Sequence, residues 1–334
     1  MRGACVEVRR GAIVESRHRV SVAVADADGT LRAHAGDPEL VAFARSAIKP
    51  LQALPLIEDG AAERFGFGAK EIALACASHS GEPHHVALAL TMLRRIGLDE
   101  HALACGPHPP MHDASAHALR DAGRVPTRVH NNCSGKHAGM LAFARARGWP
   151  VAGYYTAEHP VQQRMLAELV RWSGTPPEEI ALAVDGCGVT TFALPLHGLA
   201  TAFAAFAAAA RRSEAGPAQI VRAMTAHPEY VGGTGRLCTE LMRTAGGRIV
   251  AKVGAEGVYC AGIPGAELGI ALKVEDGARR AAEPALLAAL HALGLLSDDE
   301  LGTLGAFAEP VLRNTRGDVV GEVRAVVELE PGRG

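Results

Sequence analysis

Two hydrophobic periods divide this chain. Between residues 4 and 34 apolar and polar side chains alternate, with Val6 and Val8 in one run and Val20, Val22 and Val24 in the next. That period of two predicts antiparallel strands, with Ala27-Asp28-Gly29 as a turn. From about Ser46 to Glu58 the period lengthens, and Ile48, Leu51, Leu54 and Leu56 make the apolar side of a helix. Pro50 fits only a first turn, which sets the helix start close to Ser46. Lys70 to Ala77 is a short apolar run, read as a strand, that Ser78-His-Ser-Gly-Glu-Pro83 breaks before a helix from about His84 to Ile96. Cys105 to Ser115 reads as an irregular loop. Helical spacing returns at 135–147, 160–173, 195–210 and 216–226, and Ile180 to Val184 reads as a strand entering Asp185-Gly-Cys-Gly188. Strands follow at Arg248–Val253, Val258–Ala261 and Leu268–Val274, then a helix from about Gly277 to Leu293 and a last strand at Val319–Leu329.

Strands at both ends with helices between predict an α/β (α+β) fold. The expected arrangement is one domain over 1–334, its antiparallel sheet built from about 1–34 and 248–330, with a mostly helical insertion at about 45–245 packed against it. The charge balance, 34 basic against 36 acidic residues, lacks the basic footprint of a nucleic-acid partner. Leu196 to Ala210, the most apolar stretch, is mostly alanine, too short for a bilayer and closed by Arg211-Arg212, so no membrane association is expected. Glu7, Arg9 and Arg10 stand where a signal peptide would carry its apolar core, and the expectation is a cytoplasmic protein. Seven scattered cysteines without a CxxC exclude a disulfide scaffold.

Of the 34 basic residues only Lys49, Lys70, Lys136, Lys252 and Lys273 are lysine. Arginine is always protonated, whereas a buried lysine can lose its proton and act as a base or a ligand, so each of the five merits a reason. Asparagine is equally scarce: Asn131, Asn132 and Asn314. Lys136 and two of those asparagines fall in the single stretch His130-Asn-Asn-Cys-Ser-Gly-Lys-His137.

Three further segments carry candidate chemistry. In Arg45-Ser46-Ala-Ile-Lys49-Pro50 a serine and a lysine three apart share a helix face, so the amine can reach the hydroxyl. Alone the spacing is as well explained by a helix-capping serine and a solvated lysine. Ser78-His79-Ser80 and Lys252-Val253-Gly254 follow in the order of a known scheme, SxxK, then a second serine, then a Lys-x-Gly strand. In it the first serine is the nucleophile, the second serine and the strand lysine relay protons, and the glycine lets substrate lie against the strand. Cys133 and Lys136, with Asp185 and Cys187, are open to three readings: a zinc site with thiolate ligands, ordinary buried thiols, or an amidase nucleophile at Cys133 paired with His130 or His137. Gly232-Gly-Thr-Gly235-Arg236 carries one cation that suits a substrate carboxylate.

Read together, Arg45-Ser46-Ala-Ile-Lys49-Pro50, Ala77-Ser78-His79-Ser80-Gly81-Glu82, Asn131-Asn-Cys133-Ser-Gly-Lys136-His137, Asp185-Gly-Cys187-Gly188 and Lys252-Val-Gly-Ala-Glu-Gly257 resemble the class 3 L-asparaginases typified by rhizobial enzymes. The resemblance implies a serine-β-lactamase-like fold, a homodimer, and hydrolysis of L-asparagine to aspartate and ammonia. It implies Ser-Lys pairs of Ser46 with Lys49 and of Ser78 with Lys252. It also implies zinc on Cys133, Lys136 and Cys187 beside the pocket, with Asp185 in the metal site. Arg45, His130, Asn132, Arg236 and Gly254 are the substrate-binding candidates, one of the two arginines pairing with the α-carboxylate. A penicillin-recognising serine hydrolase or peptidase of the same fold, and a zinc-binding protein without catalysis, are the alternatives.

Overall fold

A computed structural model describes residues 4–332. Its main sheet has nine strands. The path runs β10 (Val311–Arg313), β11 (Val319–Val326), β1 (Ala4–Arg10), β2 (Ile13–Asp26), β9 (Leu268–Val274), β8 (Val258–Ile263), β7 (Val250–Val253). Off this path β3 (Leu31–Ala35) joins β2 and β12 (Glu330–Pro331) joins β3. Every pairing is antiparallel, and the strands come from the two ends of the chain, as the alternating pattern predicted.

The register explains the sequence. Directly opposite residues share a face, so Ala23 and Ala25 of β2 lie beside Ala271 and Gly269 of β9, and these beside Cys260 and Gly262 of β8. That face is made of small side chains. Against it lies the alanine-rich helix Leu196–Arg211, which packs on β9, β2 and β8. The approach is so close that a Cβ on Gly269 would sit 2.0 Å from the Ala200 carbonyl oxygen. The apolar stretch is therefore a core helix; no described helix is long and apolar enough to cross a membrane. The other face carries Val20, Val22, Val24, Ile270, Leu272 and Val274. Helix Arg279–Ala292 packs on β11, β9, β1 and β8 and buries Leu286, Leu287 and Leu290. Val20 to Ala25 are consequently buried at every position.

Lys252 pairs with Cys260, so it belongs to the small-residue face, toward the helical insertion. Tyr259, one residue along, belongs to the face of helix Arg279–Ala292. Strand β7 is the open edge of the sheet, and the edge is where the candidate site forms.

Three expectations need correction. Lys70–Ala77 is not a strand: residues Ala69–Ala75 form a helix, at whose start the Glu71 carboxylate accepts from the Gly68 N–H. The long helix from Ser46 is broken into a 3₁₀ turn Arg45–Ile48 and helices Lys49–Gln52 and Leu54–Glu58, because Pro50 and Pro55 each begin a new one. The loop from Cys105 ends at His112, where helix Asp113–Asp121 begins. A second sheet contains the expected strand β5 (Ala181–Val184) and two that alternation missed, β4 (Val41–Phe43) and β6 (Thr190–Pro195), in the order β4-β6-β5.

Gly269→Ala should force the alanine-rich helix off the sheet and cost about 1–3 kcal/mol or more, the usual cost of overpacking. A fall in the urea midpoint with an unchanged m-value checks it.

Candidate active site

The turn that carries Ser46 is clamped from two sides. The Ala44 N–H donates to the Phe192 carbonyl of β6, 2.9 Å away, which ties the turn to the small sheet. On the other side Gly254 ends β7 against it, so close that a Cβ there would lie 3.0 Å from the Ala44 carbonyl oxygen. Between these contacts Arg45 is held in the left-handed region at φ 49°, a strained conformation for a residue with a side chain. Its guanidinium donates to Asp185 Oδ1 at 2.5 Å, on the loop after β5.

Behind Ser46 two lysines meet on one hydroxyl. Lys49 Nζ lies 3.0 Å and Lys252 Nζ 2.8 Å from Ser78 Oγ. All three side chains are buried: Lys49 is 1%, Lys252 0% and Ser78 4% exposed. Lys49 also donates to the Ala77 carbonyl at 2.5 Å and toward Cys133 Sγ at 3.2 Å. Those three acceptors match the three N–H bonds of an ammonium. Lys252 donates to the Val253 carbonyl at 2.8 Å. Burial, then the charge of Lys49 and more weakly that of Arg236, bring the Lys252 ammonium down to a pKa of about 7. Cys238 and Tyr259 steady its strand: their Sγ and OH lie 3.0 Å apart, and the Val253 N–H points at Cys238 Sγ from 3.4 Å.

Ser46 and Ser78 both line a cleft of about 320 Å³ whose walls include Asn132, Arg236, Gly254, Glu256 and Glu283. Among the described residues Arg236 has only weak partners there, Ser80 Oγ at 3.4 Å and Met111 Sδ at 3.9 Å.

The cysteine cluster lies behind Lys49. Lys136 Nζ is 3.0 Å from Cys187 Sγ, which is 3.4 Å from Asp185 Oδ2. Cys133, Lys136 and Cys187 are buried. A hydrogen bond from Cys133, and then the charge of Lys136, bring the Cys187 thiol down to about 5, against its burial. The same bond to Cys187, with burial, pushes Cys133 up to about 12. Lys136 is buried, yet the cysteines and Asp185 hold it above the ordinary lysine value. The cluster thus brings two sulfurs and an amine together, with the Cys187 thiol toward the Asp185 carboxylate. Exchanging its protons for a divalent cation leaves two thiolates and an amine, a donor set that suits zinc.

Several candidates sit differently from their expected places. No hydrogen bond joins the Ser46 hydroxyl to Lys49 among the described residues; the 3₁₀ turn and the Pro50 break aim the lysine past Ser46 to Ser78. Arg45 is spent on Asp185 and is not a free anchor for a carboxylate. Asp185 faces that guanidinium; Lys136 and Arg45 hold its carboxyl below the usual range although burial pushes it up. His130 caps its own 3₁₀ turn, accepting the Thr127 N–H at 3.0 Å, and lines a different cavity beside Val86 and Leu119. The cysteine cluster does not line the cleft, so a metal there stands behind the pocket. Nor do the histidines serve Cys133: His137 Nδ1 is 2.5 Å from the Tyr154 OH. A further cluster, Glu82, His84 and His85, brings metal-type ligand atoms together. Glu82 is engaged with Thr234, and His85 with the Glu82 N–H and the Glu229 carbonyl, while the buried His84 Nε2 has no hydrogen-bond partner among the described residues. Spacing also missed Met111, Glu256, Arg279 and Glu283, cleft residues from loops and from an alanine-rich helix with no signature.

Comparison with known proteins now decides the family, because the L-asparaginase II profile matches residues 6–325. The chain belongs to the L-asparaginase II family. The match agrees with the asparaginase resemblance of its motifs. Solved structures similar to this L-asparaginase II family chain include a β-lactamase from Mycobacterium bovis, 15% identical over 83% of this chain and 95% of that one, with a TM-score of 0.42. Another is Mglu in its native form in 4.3 M NaCl, 17% identical over 85% of this chain and 63% of that one, with a TM-score of 0.36. No curated protein matches it.

The Arg45–Asp185 pair should show a coupling of about 1 kcal/mol or more in a double-mutant cycle, since it is half-buried and closes a strained turn. Denaturant unfolding of Arg45→Ala, Asp185→Ala and the double variant measures it. A coupling near zero would place the strain elsewhere.

Proposed function

We propose that this chain hydrolyses L-asparagine to L-aspartate and ammonia through a serine ester, with Ser46 as nucleophile and Ser78 and Lys252 as its proton relay. The observation that carries the reading is the meeting of two buried lysines on Ser78 at the floor of a cleft that Ser46 also lines. An unactivated serine is a poor nucleophile and needs a neutral amine within reach of its proton. Lys252, near 7, supplies one at neutral pH. As a free amine its lone pair accepts the Ser78 O–H, and Ser78 in turn accepts the proton of Ser46. Lys49 keeps its place as a donor to Ser78 and adds positive charge near the reacting oxygens. The base expected three residues after Ser46 is thus reassigned to the strand lysine.

In the first half-reaction Ser46 Oγ bonds to the side-chain amide carbon and its proton passes through Ser78 to Lys252. As the C–N bond breaks that proton is returned to the nitrogen, which leaves as ammonia. The Ser46 N–H, in a first turn with no acceptor inside it, is the donor we assign to the developing oxyanion. Water then bonds to the ester carbon, gives a proton to the same relay, and the Ser46 oxygen leaves with a proton restored. Arg236 takes the α-carboxylate, and Asn132 and Gly254 form the walls. Zinc on Cys133, Lys136 and Cys187, its charge balanced by the two thiolates, would lock those three side chains in place behind Lys49. A second reading makes Ser78 the nucleophile, because both amines bond to it and none to Ser46; the greater exposure of Ser46 favours the first.

Ser46→Ala should abolish ammonia release from L-asparagine while leaving the melting temperature near wild type, and mass spectrometry of the trapped ester should place it on Ser46. An ester on Ser78, or near-normal turnover by Ser46→Ala, would overturn the assignment. The pH dependence has a definite sign. The relay needs Lys252 unprotonated, so kcat/KM should rise about tenfold per pH unit below about 7 and level off above it, as the neutral fraction saturates. Lys252→Met should remove that limb. Elemental analysis should find one zinc per chain, lost in Cys187→Ala.

A further inference from the structure

We infer that Glu283 is the site's receptor for the substrate α-ammonium, so that Glu283 and Arg236 together select a free amino acid. The inference deepens the asparaginase reading and rests on it. Glu283 sits in the fifth position of helix Arg279–Ala292 and reaches the cleft from the face of the sheet opposite Lys252, around the open edge of β7. It is half-buried, yet it makes no hydrogen bond and no ion pair within 4 Å among the described residues. An acidic side chain drawn partly out of water is normally paired, because desolvating an unpaired carboxylate is costly. Burial pushes its carboxyl above the usual range, and the charges of Arg279 and Arg236 only partly offset this. Such a group gains by meeting a cation inside the cleft.

Arg236, in the same cleft, is the complementary case: a guanidinium with no carboxylate within ion-pair distance among the described residues. Of the four charged side chains of the cleft Arg279 and Glu256 are exposed, and the half-buried pair, Glu283 and Arg236, offers one anion and one cation over two serines to the two charges of a zwitterion whose amide must face Ser46. The other acid, Glu256, suits this role less well. It is exposed at the tip of the β7–β8 hairpin at φ 57°, and its charge is felt by Lys273.

Succinamate, which is asparagine without its α-amino group, isolates the contact. The wild type should prefer L-asparagine over succinamate in kcat/KM by at least 100-fold. In Glu283→Gln that preference should collapse by about 100-fold, mostly through a higher KM for asparagine, as expected for loss of one partner of a desolvated charge pair. An unfolded fraction scales both rates alike and cancels in the ratio. Should Glu283→Gln give no folded protein, Glu283→Asp carries the comparison and should retain part of the preference. An undiminished ratio in either variant, or a wild type indifferent to the amine, would overturn the role of Glu283 while leaving the asparaginase reading in place. A wild type that releases ammonia from neither amide would overturn that reading and the inference with it.

Discussion

Two buried cations converging on one serine hydroxyl set the terms for the rest of this molecule. Taking an ammonium out of water costs several kcal/mol even after relaxation, and a second nearby adds repulsion. The structure meets this with acceptors: the Ala77 and Val253 carbonyls, Ser78 Oγ and the Cys133 sulfur. It also meets it with asymmetry. Lys49 has three acceptors for three protons. Lys252 has one carbonyl and the shared hydroxyl, and it is the one whose charge is given up near neutral pH. A neutral amine then has a lone pair facing a hydroxyl, which is what a proton relay needs. The same burial that threatens stability therefore suits Lys252 to the base of the proposed relay.

The segments that deliver these groups come from distant parts of the sequence, and the two sheets hold them in register. Strand β7 brings Lys252 on the face of small residues, where the alanine-rich helix lies close and the insertion can approach. The small sheet ties down Ala44, while Asp185 at the end of β5 holds Arg45 in its left-handed conformation. Strain of this kind costs on the order of 1–3 kcal/mol and persists only when the surroundings over-determine it. Here a main-chain hydrogen bond, an ion pair and a glycine contact all bear on one turn, so Ser46 faces the cleft in a fixed direction.

What was legible in the sequence was chemistry written in short spans. The rarity of lysine singled out five, of which Lys49, Lys136 and Lys252 are buried and Lys70 and Lys273 are not, and the order of the serine and lysine segments pointed to the family that the whole-chain match establishes. What was not legible is partner choice. Spacing gives Lys49 a serine three residues before it, but a 3₁₀ turn followed by Pro50 redirects the amine to Ser78, far off in sequence. Likewise Arg45 reads as a free cation until Asp185 is seen across from it. Lys70–Ala77 reads as a strand because a short apolar-rich run fits either period, and only the Gly68–Glu71 contact at the start of Ala69–Ala75 decides for a helix. Glu283 had no signal at all: one acid among alanines matters only because the sheet edge turns it toward the cleft.

Charge in the cleft also bears on which substrate class the proposed serine and lysine chemistry would serve. A penicillin and an amino acid would both bring a carboxylate for Arg236, so that cation does not separate them. An acid on the opposite wall does. Glu283 would repel a ligand whose only charge is negative, and it would have to be protonated or moved to admit one. An amino acid brings its own cation to that wall and removes the penalty of an unpaired acid. Substrate choice in this fold can thus rest less on the nucleophile, which both chemistries share, than on whether the far wall of the cleft asks for a positive charge.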